Sequence, residues 1–171
     1  MDEGLLILRL VIGLTMAAHG SQKLFGWFGG GGIEGTAAFF GSLGYRAPAR
    51  FALIAGLTEF LGGLALAAGF LVPLAAMGIA VVMLNAIESV KFPGGFFAGN
   101  GGYEFEFVLL GTSIGLATTG PGRFSLDQAV GWQDELSGLA IGGATLAGAL
   151  VIGFVTMTWG RGQPESTELS T

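Results

Sequence analysis

The sequence contains no cysteine and only one histidine among its 171 residues. The absence of cysteine excludes disulfides, thiol nucleophiles, cysteine-bound zinc and iron–sulfur clusters within this chain. A metal site built from several histidines is excluded as well. A metal site made of carboxylates alone is not excluded, but no pattern in the sequence supports it. No nucleophile elbow or Ser-His-Asp order is evident. Any redox chemistry must therefore use a bound cofactor or a partner protein.

Charge is also scarce, because only 11% of the residues are charged while 51% are hydrophobic. A typical soluble domain has about 25% charged residues, and the mean hydropathy of this chain is +0.71. A soluble fold of this size would expose too much apolar surface. We therefore expect an integral membrane protein in contact with lipid. The net charge of −5 argues against nucleic acid as a partner.

Long apolar runs predict five membrane spans, most of them near the roughly 17–25 residues that cross a bilayer. Spans must be helices or a closed barrel, and the runs lack the alternating polarity of barrel strands. Glu104 and Glu106 make the fourth run marginal, and the acidic N-terminal flank favours a retained first span over a cleaved signal peptide. The five runs cover residues 4–19, 50–70, 73–89, 103–119 and 136–159.

The segments between the runs add further expectations. Residues 36–45 could form a short helix at the membrane interface, and residues 161–171 form a polar tail that we expect to be disordered. With the N-terminus outside and the C-terminus inside, five spans satisfy the positive-inside rule. Arg123 then lies outside, and the tail changes side if the fifth run does not span. The inner basic residues are Lys23, Arg46, Arg50, Lys91 and Arg161.

Glycine is abundant, with 33 residues, and two G-x-x-x-G pairs stand out. Gly111 and Gly115 lie in the fourth run, and Gly138 and Gly142 lie at the start of the fifth. Such pairs let helix backbones approach closely. They predict either a dimer or partner interface or packing within the bundle, and we favour packing within the bundle.

A few ionisable residues lie within the apolar runs, where each costs about 2.5–3.5 kcal/mol on insertion scales. Arg9 could snorkel to the interface or pair with Glu59. Glu59 lies midway along the second run. It could exchange a proton or bind a quinone headgroup, or it could form a structural ion pair, and we slightly favour the ion pair. His19 and Lys23 share a helix face if the first helix continues through Gly20. The two side chains could form a polar cap that anchors the helix at the interface, or they could face a ligand.

The later runs supply the remaining candidates. Asn85, Glu88 and Lys91 follow one another at intervals of three, which predicts a polar stripe on the third helix. Glu104 and Glu106 must point to different faces, and we expect Glu104 to face the bundle because it directly follows the loop. The predicted polar pocket comprises Arg9, His19, Lys23, Glu59, Asn85, Glu88 and Glu104.

Four segments in order resemble the DoxX family of small bacterial membrane proteins. The first run resembles the family's opening pattern, and the second resembles its E-x-x-G-G-x-x-L-x-x-G pattern, beginning at Glu59. FPGGFFAGNGGYEFE resembles the loop before its last shared helix, and GPGRFSLD, ending at Asp127, resembles its closing motif. The likeness covers about residues 4–130. The opening-pattern residues are Arg9, Gly13, His19, Gly20 and Lys23; the second set continues through Gly62, Gly63, Leu66 and Gly69.

This resemblance implies a four-helix transmembrane bundle over residues 1–130, to which residues 131–160 add a fifth transmembrane helix. Some members of the family are subunits of thiosulfate:quinone oxidoreductase, and others are linked to complexes that handle oxidative or thiol stress. The resemblance therefore implies a multi-pass protein of the bacterial inner membrane, acting as accessory or anchoring subunit of a redox system. Quinone is the implied cofactor, and a membrane or peripheral oxidoreductase is the implied partner. Lys91 stands where the family often has histidine, which weakens any histidine-based site.

Two other functions remain open at this stage, because a fold does not set a function. The chain could be a non-catalytic scaffold that recruits partners, or copies of itself, through its glycine-rich helix faces. It could also be a small transporter or lipid-handling protein, although no internal repeat supports that class. Whether the chain itself is catalytic is not decided by these residues.

Overall fold

The computed structural model of the chain describes residues 1–162, so the polar tail beyond residue 162 lies outside the described residues. Within that range the backbone forms seven α-helices, and its only β-type pairing is an isolated bridge between Tyr45 and Arg161. A π-helical turn, Ile87–Lys91, extends the fourth helix. The helices are α1 Asp2–Phe25, α2 Gly32–Ser42, α3 Pro48–Ala68, α4 Val72–Ala86, α5 Glu104–Thr119, α6 Leu126–Ala129 and α7 Leu139–Trp159.

Helices α1 and α3 form the closest pair in the bundle. A Cβ built on Gly13 would lie 2.5 Å from the carbonyl oxygen of Gly63, and a Cβ built on Gly63 would lie 2.5 Å from that of Gly13. Only glycine allows this backbone-to-backbone approach. The contact fixes the antiparallel register of the two helices. Helix α1 continues through Gly20 to Phe25 and ends at Gly26, whose φ of 72° suits glycine.

Helix α4 packs against α3, α5 and α7, so the fifth predicted span is an integral part of the bundle. Gly142 of α7 contacts Thr118, and Gly148 of α7 faces Met77. Gly138 and, in α5, Gly111 and Gly115 differ, because no atom of residues 1–162 lies within 4 Å of a Cβ built on any of them. The prediction of packing within the bundle is therefore confirmed for Gly142 and wrong for Gly138, Gly111 and Gly115.

The surface of the bundle is largely apolar. Four helical segments among the described residues are long and apolar enough to cross a membrane: Asp2–Phe25, Pro48–Ala68, Val72–Gly94 and Leu139–Trp159. Their outward side chains, such as Ile7, Val11 and Phe154, are exposed and suit contact with lipid. The prediction of an all-α membrane bundle is confirmed. Helix α5, which corresponds to the fourth predicted span, has 16 residues and is shorter than these four segments.

The antiparallel arrangement gathers the charged residues at the two ends of the bundle. The ends of α1, α4 and α7 meet the starts of α3 and α5, and we call this the basic end. Helix α2 lies at the basic end and packs on α1 and α3. It covers Gly32–Ser42, where a short helix was predicted over residues 36–45, and its place at the membrane interface stays a prediction. The basic end holds Lys23, Arg46, Arg50, Lys91 and Arg161. Which membrane side it faces stays a prediction.

Candidate functional site

A cavity of about 640 Å³ opens between α2, α3, α4 and α7 and reaches the basic end. Its volume falls within the roughly 300–1,000 Å³ of small-molecule sites. Apolar side chains such as Ile54, Leu74, Met77 and Val81 form its long walls. Its polar lining residues are Lys23, Tyr45, Thr58, Glu59, Asn85, Ser89, Lys91 and Thr156. A smaller cavity of about 270 Å³, between α4, α7 and the residues just before α7, has Thr145 as its polar lining and no titratable group.

Lys23 and Glu59 form an ion pair that lines this cavity. The Lys23 Nζ lies 2.5 Å from the Glu59 Oε2, and only 2% of the Glu59 side chain is exposed. Lys23 comes from the last turn of α1 and Glu59 from the middle of α3. A buried carboxylate needs such a partner, because its desolvation is otherwise uncompensated.

Arg9 does not pair with Glu59, so that prediction is wrong. The glycine contact between Gly13 and Gly63 places Arg9 opposite Gly69, near the other end of α3. The Arg9 Nη2 donates a hydrogen bond to the Phe124 carbonyl, and the carboxylate that attracts its charge is Asp127. Arg9 is fully buried and is absent from the cavity lining. It ties α1 to the loop before α6.

Asn85 belongs to a hydrogen-bonded cluster in the cavity wall. The Tyr45 hydroxyl donates to the Asn85 Oδ1 at 3.1 Å, and the Asn85 Nδ2 donates to the Thr156 Oγ1 at 3.0 Å. The cluster joins the segment after α2 to α4 and α7. Asn85 is therefore held in one orientation with its polar edge beside the cavity.

Glu88 lies at the rim of the basic end and is absent from the cavity lining. Its Oε2 lies 2.7 Å from the Arg161 Nη2, and Arg161 also lies over the Tyr45 ring at 5.3 Å. Burial lowers the pKa of Arg161, but its hydrogen bond and attraction to Glu88 raise that pKa by more, so it stays protonated. The Arg46 N–H donates to the Gly160 carbonyl and the Gly162 N–H to the Gly44 carbonyl. These two backbone hydrogen bonds join the residues after α7 to the segment that follows α2.

His19 shares a helix with Lys23 but is also absent from the cavity lining. Its ring lies 6.0 Å from the Phe105 ring, between α1 and α5. It remains within electrostatic reach of Glu59. The structure therefore brings Lys23, Glu59 and Asn85 of the predicted pocket to one cavity and leaves the other four residues outside its lining, with Arg9 near the opposite end of α3.

The choice of Glu104 over Glu106 is wrong. Loop residues fold back over the start of α5, and Glu104 accepts a hydrogen bond from the Ala98 N–H at 3.0 Å. Glu106 instead faces α4, is 8% exposed, and places its Oε1 3.8 Å from the Lys91 Nζ. Sequence spacing could have identified it, because Glu106 begins the buried stripe that continues with Leu109, Ser113 and Leu116 at helical intervals.

Tyr45 and Thr156 are cavity residues that the sequence did not single out. Tyr45 lies in an irregular segment, and Thr156 lies amid the apolar run of α7, so no local pattern distinguishes either. Lys91 was predicted to lie on the polar stripe of the third helix and among the inner basic residues, but not in the pocket. Among residues 1–162 no group of three or more histidines and carboxylates could hold a metal ion. The chemistry available at the cavity is hydrogen bonding and proton exchange by lysine and carboxylate.

Comparison with known proteins agrees with the architecture. The DoxX family model matches residues 4–92, from the first turn of α1 to the end of the π-helical turn. A protein of Bacillus subtilis (strain 168) described as "Putative oxidoreductase CatD" is 35% identical over 126 residues, covering 74% of this chain and 86% of that protein. No solved structure matches the chain.

Proposed function

Because the chain belongs to the DoxX family, we propose that it is a membrane subunit of a redox system and holds an isoprenoid quinone in the cavity at its basic end. The cavity and its polar end are the features that support this proposal. The similar Bacillus subtilis protein is described as an oxidoreductase, which supports the redox assignment. With no cysteine in the chain, electrons come from a cofactor or from a partner oxidoreductase.

The observation that carries the proposal is the Lys23–Glu59 ion pair at the polar part of an otherwise apolar cavity. A quinone oxygen accepts a hydrogen bond when oxidised and donates one when reduced. Lysine supplies the donor for the carbonyl, and glutamate supplies the acceptor for the hydroxyl. One ion pair can therefore hold both redox forms of the ring and exchange a proton with it.

The shape of the cavity suits the tail of such a ligand. Its lining on α4 and the following turn extends from Leu74 to Val90, which is roughly 24 Å along a helix. Apolar side chains line most of that length. A single prenyl chain would lie along this wall with its ring at the basic end. The bacterial inner membrane is the compartment that we propose, because it contains such quinones.

The proposal is tested by quinone binding to the full chain in lipid nanodiscs. A hydrogen bond to a charged group contributes roughly 1.5–3 kcal/mol, so Lys23→Met should weaken binding of a short-chain quinone by about tenfold or more. Glu59→Gln should weaken it as well. Arg50→Gln is the matched control, because Arg50 is an exposed basic residue at the same end and does not line the cavity. Equal binding by all four proteins, or by none, would reject the proposal.

One observation favours a scaffold as the second candidate function. Gly111 and Gly115 present an open face on α5, flanked by the exposed side chains of Phe107 and Val108. Such a face can receive a second helix in the membrane. Under this alternative, Glu59→Gln lowers thermal stability, and a partner's activity falls only in proportion to the amount of protein. Gly111→Leu should reduce co-purification of a partner from native membranes, and an unchanged yield counts against the scaffold.

A further inference from the structure

A second ion pair contributes its lysine to the lining of the same cavity. Lys91, from the π-helical turn after α4, lines the cavity together with Lys23 and Glu59. Its partner is Glu106 of α5, at 3.8 Å from Glu106 Oε1 to Lys91 Nζ. The two pairs come from different helices: α1 and α3 supply one, and the end of α4 with α5 supplies the other. One cavity therefore has two separate ammonium donors.

Glu106 has an unused hydrogen-bonding capacity. Its Oε2 is buried and accepts no hydrogen bond from any residue in the described range 1–162. Buried carboxylate oxygens are normally satisfied, so an unpartnered one indicates a missing donor. The Lys23–Glu59 pair is much shorter, at 2.5 Å. The Lys91–Glu106 pair is the looser one, at 3.8 Å.

The charge of the polar end restricts the class of ligand. Two lysines and two glutamates sum to zero, so this end does not concentrate anions as a cluster of lysines alone would. A phosphate or fatty-acid headgroup would meet repulsion from Glu59 and Glu106. A neutral headgroup with two oxygen atoms can instead engage both ammonium groups. The apolar wall of the cavity can hold one hydrocarbon chain of the ligand.

We infer that the cavity binds a neutral 1,4-dicarbonyl ring at two points, with Lys23 donating to one carbonyl oxygen and Lys91 to the other. This inference rests on the proposed function and specifies its ligand. Glu106 is a positioning residue, because its carboxylate, 3.8 Å from the Lys91 Nζ, directs the Lys91 ammonium. When the ring is in its dihydroxy form, each hydroxyl donates instead, and Glu59 accepts from the one beside Lys23. Lys91 thereby determines that a ring with two oxygens binds more tightly than a ring with one.

The test compares two probes on the full chain in nanodiscs: an alkylated 1,4-naphthoquinone and the same ring and chain with one carbonyl removed. Wild type should bind the dicarbonyl probe about tenfold more tightly than the monocarbonyl probe. In Lys91→Met this ratio should fall to about one. A merely structural role would weaken both probes equally and leave the ratio unchanged. Lys91→Arg should retain the preference, and Arg50→Met should behave as wild type.

The outcomes separate the two proposals. If wild type binds neither probe, the proposed function is rejected together with the two-point site. If wild type binds both but Lys91→Met keeps the wild-type ratio, the two-point site is overturned while quinone binding stands. Thermal unfolding monitored by circular dichroism verifies that each variant is folded. If Lys91→Met does not fold, the same ratio of affinities for the two probes is measured in Glu106→Gln. In that variant the ratio must be at least threefold lower than in wild type for the inference to survive.

Discussion

The Lys23 ammonium lies 2.5 Å from the Glu59 carboxylate although 36 residues separate them in the chain. This contact depends on the glycine pair Gly13–Gly63, which sets the register of α1 against α3. One face of the helix pair therefore packs backbone against backbone. The ion pair forms further along, between Lys23, ten residues after Gly13, and Glu59, four residues before Gly63. The same two residues line the cavity, so helix packing and site geometry are linked.

The two members of this pair should differ in their effect on stability. Lys23→Met leaves the carboxylate of Glu59 buried without a partner, and breaking a buried pair in this way costs on the order of 3–5 kcal/mol. Glu59→Gln should cost less, because the Lys23 side chain is 27% exposed and can extend to water. The measurement is thermal unfolding in nanodiscs. The double variant Lys23→Met with Glu59→Met should recover most of the loss, and a further additive loss would contradict this account.

The glycine contact makes a second prediction. Gly13→Ala should destabilise the bundle by roughly 1–3 kcal/mol, as overpacking does in a tight core, because its Cβ would meet backbone atoms of α3. Gly111→Ala is the matched control in α5, where the Cβ meets open space. That control should be neutral or slightly stabilising, since alanine favours helix. Equal melting temperatures for the two variants would show that the close approach of α1 and α3 is not required.

The fold class and four of the five predicted spans follow from the sequence, because apolar length and glycine content are local properties. The predicted span over residues 103–119 corresponds to α5, which is not among the four segments that are long and apolar enough. The partners of the ionisable residues do not follow, since they depend on helix register. Arg9 and Lys23 were both available to Glu59, and only the position of the Gly13–Gly63 contact selects Lys23. Glu104 was preferred because it directly follows the loop, but the loop folds back onto Glu104, and the buried stripe of α5 begins at Glu106. Thr156 entered the cavity only through the packing of α7 on α4.

Asp127 should stabilise the start of α4 although it is distant in sequence. Its carboxylate accepts hydrogen bonds from the Leu71 N–H at 2.8 Å and the Val72 N–H at 3.1 Å. These are N-terminal donors of α4 that would otherwise be unsatisfied. Asp127→Ala should lower the free energy of unfolding by more than the roughly 0.5–2 kcal/mol usual for losing a cap, because it also removes the carboxylate that attracts the buried charge of Arg9. The exposed Asp134→Ala is the control, and an equal effect of both variants would show that the cap contributes nothing.

The orientation in the membrane can be measured cleanly, because the chain has no native cysteine. Ser42→Cys places a thiol on an exposed position at the basic end, and Asp134→Cys places one on an exposed position at the other end. If the five basic residues lie inside, as the positive-inside rule predicts, a membrane-impermeant maleimide should label only Asp134→Cys in intact cells. Both variants should react after permeabilisation, which verifies that Ser42→Cys is accessible. Labelling of Ser42→Cys in intact cells would reverse the orientation, and the polar end of the cavity would then face the outside.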